Sequence, residues 1–195
     1  MIVLVRHGET EANRAGLLLG RADPPLTARG VRQAAALARV LARRPVSRLL
    51  TSPLTRAVQT AEAIGEATGT SPVVEPRLAE LDYGEWDGCP VADLPADVAA
   101  RWRADPTFAP PGGESLVALR ERVAPCAAEL LDRVGEGTVV AVSHVSPIKA
   151  TILVALGLPD ELAWRLRLDL ASISRLVAGP TGPVLLTYNE TPARS

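Results

Sequence analysis

Histidine and cysteine occur only twice each in these 195 residues. Cys89 and Cys126 are far apart and form neither a metal-ligand pair nor a redox pair, which argues against a disulfide framework and for a reducing compartment. Lysine is scarcer still: Lys149 stands alone and every other base is arginine. That bias reads as a feature of the whole composition rather than a demand for bidentate recognition everywhere. A formal charge of -1 leaves no global basic footprint for nucleic acid and no polybasic membrane patch. No uncharged apolar run reaches the length of about 18 residues that a membrane span needs. The N-terminal apolar run ends at Arg6, too short and wrongly ordered for a signal peptide, so the expected address is the cytoplasm.

What the chain does contain is enough apolar matter for a sizeable core, 47% of residues, and its length suits one domain over residues 1–195. Strand and helix signals alternate. Residues 2 to 6 read as a buried strand, and 27 to 43 as a helix capped by Thr27 and stopped by Pro45. A strand at 47 to 52, a helix at 54 to 68 ended by Gly69, and a short strand at Val73-Val74 follow. From about 79 to 114 the chain is rich in Pro, Gly and Asp, an irregular excursion with one short helix near 95 to 104. A helix from Ser115 to about 134 is expected to kink or break at Pro125. Then come a strand at 138 to 143, helices at 146 to 157 and 160 to 166, and a hairpin of 173 to 178 with 184 to 188, with a frayed tail after Tyr188. This order predicts a three-layer α/β/α sandwich with a mostly parallel central sheet.

Both histidines end β-branched runs, His7 after Ile2-Val3-Leu4-Val5-Arg6 and His144 after Val139-Val140-Ala141-Val142-Ser143. Two such strands in one open sheet deliver both imidazoles to the carboxyl edge, where ligands bind. Histidine can be a nucleophile that forms a covalent intermediate, and an adjacent arginine suits phosphate oxygens.

The string Arg6-His7-Gly8-Glu9-Thr10 with Asn13 resembles the signature of the histidine phosphatase superfamily, which includes phosphoglycerate mutases and small phosphomonoesterases. Further matches follow in the family's order. Leu26-Thr27-Ala28-Arg29-Gly30 resembles its first helix start, and Thr51-Ser52-Pro53-Leu54-Thr55-Arg56 its second arginine segment. Leu78-Ala79-Glu80-Leu81-Asp82-Tyr83-Gly84 resembles its acid-bearing loop, Gly112-Gly113-Glu114-Ser115 a later helix start, and Ser143-His144 its second histidine. The segment Ser143-His144-Val145-Ser146-Pro147-Ile148-Lys149 is similar to acid-phosphatase domains of the alpha-ribazole phosphatase type.

The resemblance implies a phosphoglycerate mutase-like fold and a metal-independent, cofactor-free phosphomonoesterase acting on a small phosphorylated metabolite. It also implies the roles. His7 is the nucleophile, Arg6 and Arg56 bind phosphate oxygens, His144 donates to the transferring phosphoryl, and Asn13 adds a neutral donor. Two cations beside His7 keep its imidazole neutral. Glu80 is the proton donor, with Asp82 second, and it must hold a proton when substrate binds, which burial or the anionic phosphate would favour. Glu9 and Thr10 orient the loop, Thr27 and Ser115 cap helices, and Glu85 and Asp87 read as a solvated acidic surface. Arg14, Arg21, Arg101 and Arg103 either meet a second anionic group or face solvent. A phosphoglycerate mutase is the nearest rival, although such enzymes typically carry inserted segments that shield the phosphoenzyme. A non-catalytic phospho-ligand module is the second rival; a zinc site is disfavoured because the flanking arginines repel a cation.

Overall fold

The computed structural model describes residues 1–133 and 137–192. Its centre is a six-stranded sheet of β1 (Ile2–Arg6), β2 (Arg48–Thr51), β3 (Pro72–Val74), β4 (Val139–Ser143), β5 (Ile173–Gly179) and β6 (Gly182–Glu190), in the order β3-β2-β4-β1-β5-β6. The first four positions in that order run parallel, β5 runs antiparallel to β1, and β6 runs antiparallel to β5.

Alternation along the strands sorts the core into two layers. Ile2, Leu4 and Ala141 pack with Cys126, Leu130, Ile148 and Ile152 of the helices Leu116–Asp132 and Val145–Leu156. Val3, Val5 and Val142 pack on the opposite side with Leu37, Ala38, Ala57 and Ile64 of Ala28–Leu41 and Thr55–Thr68. With the turn Glu11–Arg14 and the helix Ala96–Ala104, these helices are α1 (11–14), α2 (28–41), α3 (55–68), α4 (96–104), α5 (116–132) and α6 (145–156). The three-layer architecture follows from strands that are apolar on both faces and must be covered twice. Among the described residues no helix is long and apolar enough to cross a membrane.

Most element ends fall within a few residues of the sequence reading, and three departures have clear causes. Pro125 neither breaks nor ends α5, which is one helix from Leu116 to Asp132. Pro125 is exposed, and so is Glu121, whose carbonyl loses its partner and faces water. The last position of the expected helix, residue 134, lies outside the described residues. The stretch 160–165 is a 3-10 turn rather than an α-helix. The chain does not fray after Tyr188: Asn189 donates its N–H to Ser174 and accepts from Asp169, extending β6 to Glu190. Residues 193–195 of that tail lie outside the described residues.

A third apolar cluster fills the excursion between β3 and α5. Leu18, Leu81, Trp102, Leu116, Leu119, Val123 and Ala150 form it, with Tyr83, Trp86 and Phe108 against its edge. It fixes the irregular chain over one end of the sheet, beside the carboxyl ends of β1 and β4.

Candidate active site

The parallel register of β1 and β4 pairs Arg6 with Ser143, so His7 and His144 leave adjacent strands at the same edge. Their ring centroids are 4.9 Å apart. The chain after His7 approaches α2 backbone against backbone. A Cβ on Gly8 would sit 2.5 Å from the Gly30 carbonyl oxygen, and one on Gly30 would sit 2.2 Å from that of Glu9. No side chain fits there, which is the physical reason that the His7 and Thr27-Ala28-Arg29-Gly30 motifs travel together.

The hydrogen bonds fix the tautomer of each imidazole. His7 Nδ1 lies 2.7 Å from the Gly8 carbonyl, which can only accept, so the proton is on Nδ1 and the Nε2 lone pair is free. Arg56 Nε, which can only donate, is 3.3 Å from His144 Nδ1. The His144 proton is therefore on Nε2, donated to Ser52 Oγ at 2.7 Å. Burial first, and the nearby Arg6 and Arg56 second, push the His7 imidazole well below the usual histidine value. His144 is shifted the same way by burial, His7 and Arg56. Both rings are therefore neutral at pH 7.

The two arginines differ. Arg6 donates Nη1 to the Leu168 carbonyl at 2.6 Å, while its buried Nε has no partner among the described residues. A buried donor left unpaired costs about 1–3 kcal/mol, a cost an anion beside it removes. Arg56 is wholly buried. Beyond His144 it donates to the carbonyls of Ala22 (2.8 Å), Gly20 (2.8 Å) and Leu19 (3.4 Å). Of its five N–H groups this leaves one for a phosphate. Arg56 is thus as much a clasp for the 19–22 loop as an anion ligand.

That loop is held from three sides. Asp87 accepts the amides of Gly20 (2.8 Å), Arg21 (2.8 Å) and Ala22 (2.7 Å). Asp23 takes both the Thr55 amide and hydroxyl at the start of α3. Arg56 is the third; beyond the loop, Gln59 and Thr60 of α3 accept Leu26 N–H and Gly8 N–H. Asp87 is therefore not a solvated surface acid. Asp87→Ala is expected to lower stability by about 1–2 kcal/mol, a charged acceptor of three amides being worth more than a neutral one. A lower urea midpoint with unchanged slope, together with faster proteolysis within 19–23, would report it. An unchanged midpoint would show the loop to be held without it.

Glu80 is 4% exposed. Its Oε1 accepts Leu81 N–H (2.8 Å) and Ser146 N–H (3.1 Å), and among the described residues its Oε2 accepts only Val145 N–H (3.1 Å). It thereby caps α6, the helix that begins after His144. Arg122 pins the preceding segment by donating to the carbonyls of Arg77 (2.6 Å), Ala79 (3.0 Å) and Glu80 (3.3 Å), and Glu114 holds Arg122 through both carboxylate oxygens. Asp82 differs: it accepts Gly84 N–H and faces Arg21, with 39% of its side chain exposed. Asn13 is the third residue of the capping box that Thr10 opens on α1. Its Oδ1 accepts from Thr10, and the donor half of the amide is not used by the box. Glu9 binds Thr27 and Arg29, and Thr27 and Ser115 cap α2 and α5. Of the other arginines, Arg14 pairs with Glu11, Arg21 with Asp82 and Glu114, and Arg101 lies over Phe108.

Sequence reasoning missed Ser52, Asp23, Asp87 and Arg122. Only Asp87 carried a local signal, the Asp-Gly pair that closes a turn after Trp86.

The fold and this edge define the class. Residues 2–191 match the histidine phosphatase superfamily (branch 1), and the chain belongs to it. It is 37% identical over 177 residues, 89% of its length, to a bifunctional protein of Mycobacterium tuberculosis, of which it spans about half, 49%. It is 36% identical to phosphoserine phosphatase 1 of Hydrogenobacter thermophilus, covering 97% of this chain and 92% of that one. Among solved structures, mycobacterial glucosyl-3-phosphoglycerate phosphatase with VO3 superposes with a TM-score of 0.89 at 33% identity, over 97% of this chain and 99% of that one.

Proposed function

We propose that the chain is a metal-independent phosphomonoesterase of the cytoplasm that hydrolyses a small phosphorylated metabolite through a phosphohistidine at His7. The observation that carries this reading is the free Nε2 lone pair of a neutral, buried His7 beside an Arg6 Nε that has no partner among the described residues. Nε2 attacks phosphorus as the bond to the alcohol oxygen breaks, and Glu80 gives that oxygen its proton. Water then attacks the phosphohistidine, Glu80 takes the water proton, and inorganic phosphate leaves. Oε2 carries the proton, because it has one amide contact where Oε1 has two. Arg6, the remaining Arg56 N–H and the Asn13 amide hold the equatorial oxygens. His144 joins them by exchanging Ser52 for a phosphoryl oxygen. The phosphatases among the relatives favour hydrolysis over a mutase reaction.

Hydrolysis of p-nitrophenyl phosphate is expected to survive excess EDTA, since the charge stabilisation in this scheme comes from arginine and imidazole N–H groups. Vanadate, which mimics the five-coordinate phosphoryl, is expected to inhibit well below millimolar. Activity lost to EDTA and restored by a divalent ion would overturn the scheme.

A further inference from the structure

Residues 77–80 lead to the acid but belong to no strand, so their backbone carbonyls need partners from outside a sheet ladder. Side chains supply all four. Ser143, the neighbour of His144, donates its hydroxyl to the Leu78 carbonyl at 2.6 Å. Arg122 of α5 donates to the other three, those of Arg77, Ala79 and Glu80. Two further contacts to Glu114, at 2.9 and 2.8 Å, bring the Arg122 count to five, which is every N–H group a guanidinium has. Unlike Arg6 and Arg56, Arg122 therefore has no donor left for a phosphate oxygen.

Glu114 reaches past the acid to the other side. Its Oε2 lies 3.4 Å from the Asp82 N–H nitrogen, its own N–H donates to the Asp82 carbonyl at 2.8 Å, and Arg21 stands 4.0 Å from the same carboxylate. The ion pair thus grips the chain both before and after residue 80. Both side chains are mostly buried, with 22% of Arg122 and 15% of Glu114 exposed, so water competes little with these bonds. The carboxyl group of Glu80 is held separately, by the amides of Leu81, Val145 and Ser146.

We infer that Arg122 and Glu114 form the positioning unit of the acid: by fixing the backbone on both sides of Glu80, they set the distance from its carboxyl group to the leaving oxygen. Proton transfer needs a heavy-atom separation of about 2.6–3.2 Å. A displacement of about 1 Å can cost about 100-fold in rate. A segment whose carbonyls depend on one guanidinium can shift by that much when the guanidinium is lost. The role belongs to Glu80 and not to phosphate binding, because all five Arg122 donors are engaged within the protein. This inference rests on the reading of Glu80 as proton donor given above.

The test compares phenyl phosphate with p-nitrophenyl phosphate, esters of nearly one shape whose leaving groups differ in basicity. Arg122→Lys keeps the charge but offers three N–H groups in place of five, and Glu114→Gln keeps one oxygen for Arg122 without the charge. Each is expected to lower kcat for phenyl phosphate by roughly 10-fold, with KM and the p-nitrophenyl phosphate rate changed by less than about twofold. In the Glu80→Gln background the same replacements should add almost nothing to the selectivity, since residues that act through one another are not additive. Should Arg122→Lys fail to fold, Glu114→Gln carries the comparison alone. Equal slowing of both esters, or an unchanged ratio in a variant whose urea midpoint has fallen, means that the pair only holds the fold, and it overturns the inference. A full additional loss of selectivity in the Glu80→Gln background overturns it too, because the pair then acts independently of the acid. Inactivity of the wild-type protein on both esters overturns the phosphomonoesterase reading itself, and this inference with it. A selective loss in Glu80→Gln without one in the Arg122 and Glu114 variants overturns this inference alone.

Discussion

His7→Ala is expected to lower turnover by roughly 10⁴-fold or more, because removing a nucleophile leaves only binding and charge stabilisation. Acid-free quenching of the wild-type protein with labelled substrate should trap an acid-labile, base-stable phosphoryl group, absent from the variant. Label on a serine would overturn the assignment. The same substitution has a second readout. Both buried imidazoles titrate below the value of 6.5 that they have in the unfolded chain. Below pH 6.5 the unfolded chain therefore binds protons that the folded one refuses, and stability falls with acidification until the folded values are reached. His7→Ala removes one of these two sites. Urea unfolding followed from pH 7 to 5 should show a shallower loss of stability in the variant; an equal slope would mean that His7 is not held neutral.

Glu80→Gln should slow alkyl phosphates by roughly 10²- to 10³-fold while leaving p-nitrophenyl phosphate far less affected, because nitrophenolate departs without a proton. Glutamine keeps one oxygen acceptor for the start of α6, so the fold should persist. A rate lost equally on both substrate types would mean that Glu80 matters as a cap and not as an acid. Asp82→Asn is the control. If it shows the dependence on leaving group and Glu80→Gln does not, the proton comes from the next carboxylate along. The geometry argues otherwise, since Asp82 is engaged with Gly84 and Arg21 at the rim.

Strands β1 and β4 were legible because a run such as Ile2-Val3-Leu4-Val5 suits burial on both faces. Their adjacency, which sets the histidine pair, was inferred from the edge rule rather than from any local signal. The motif residues likewise announced Arg6, His7, Arg56, Glu80 and His144. What they concealed was how a residue is employed. Nothing local says that four of the five Arg56 N–H groups go to His144 and the 19–22 loop, or that Asp87, 65 positions beyond Ala22, binds that loop's amides. These contacts join distant segments through backbone atoms, and backbone atoms have no letter in a sequence. Pro125 shows the converse: a strong local signal for a break was overridden because the freed carbonyl faces water.

Aromatic residues are few, yet most of them converge. Trp102 meets Tyr83 at 5.9 Å, Trp86 at 5.4 Å and Trp164 at 4.7 Å between ring centroids, and Phe108 stacks on Trp86. All three tryptophans of the chain thus stand in one contiguous group in the layer that covers α5 and α6. Intrinsic emission from this protein is consequently a local signal, with no indole elsewhere to dilute it. Any rearrangement of this cluster can be followed in the unlabelled protein, and energy transfer among the three indoles makes one quenching event visible in all of them.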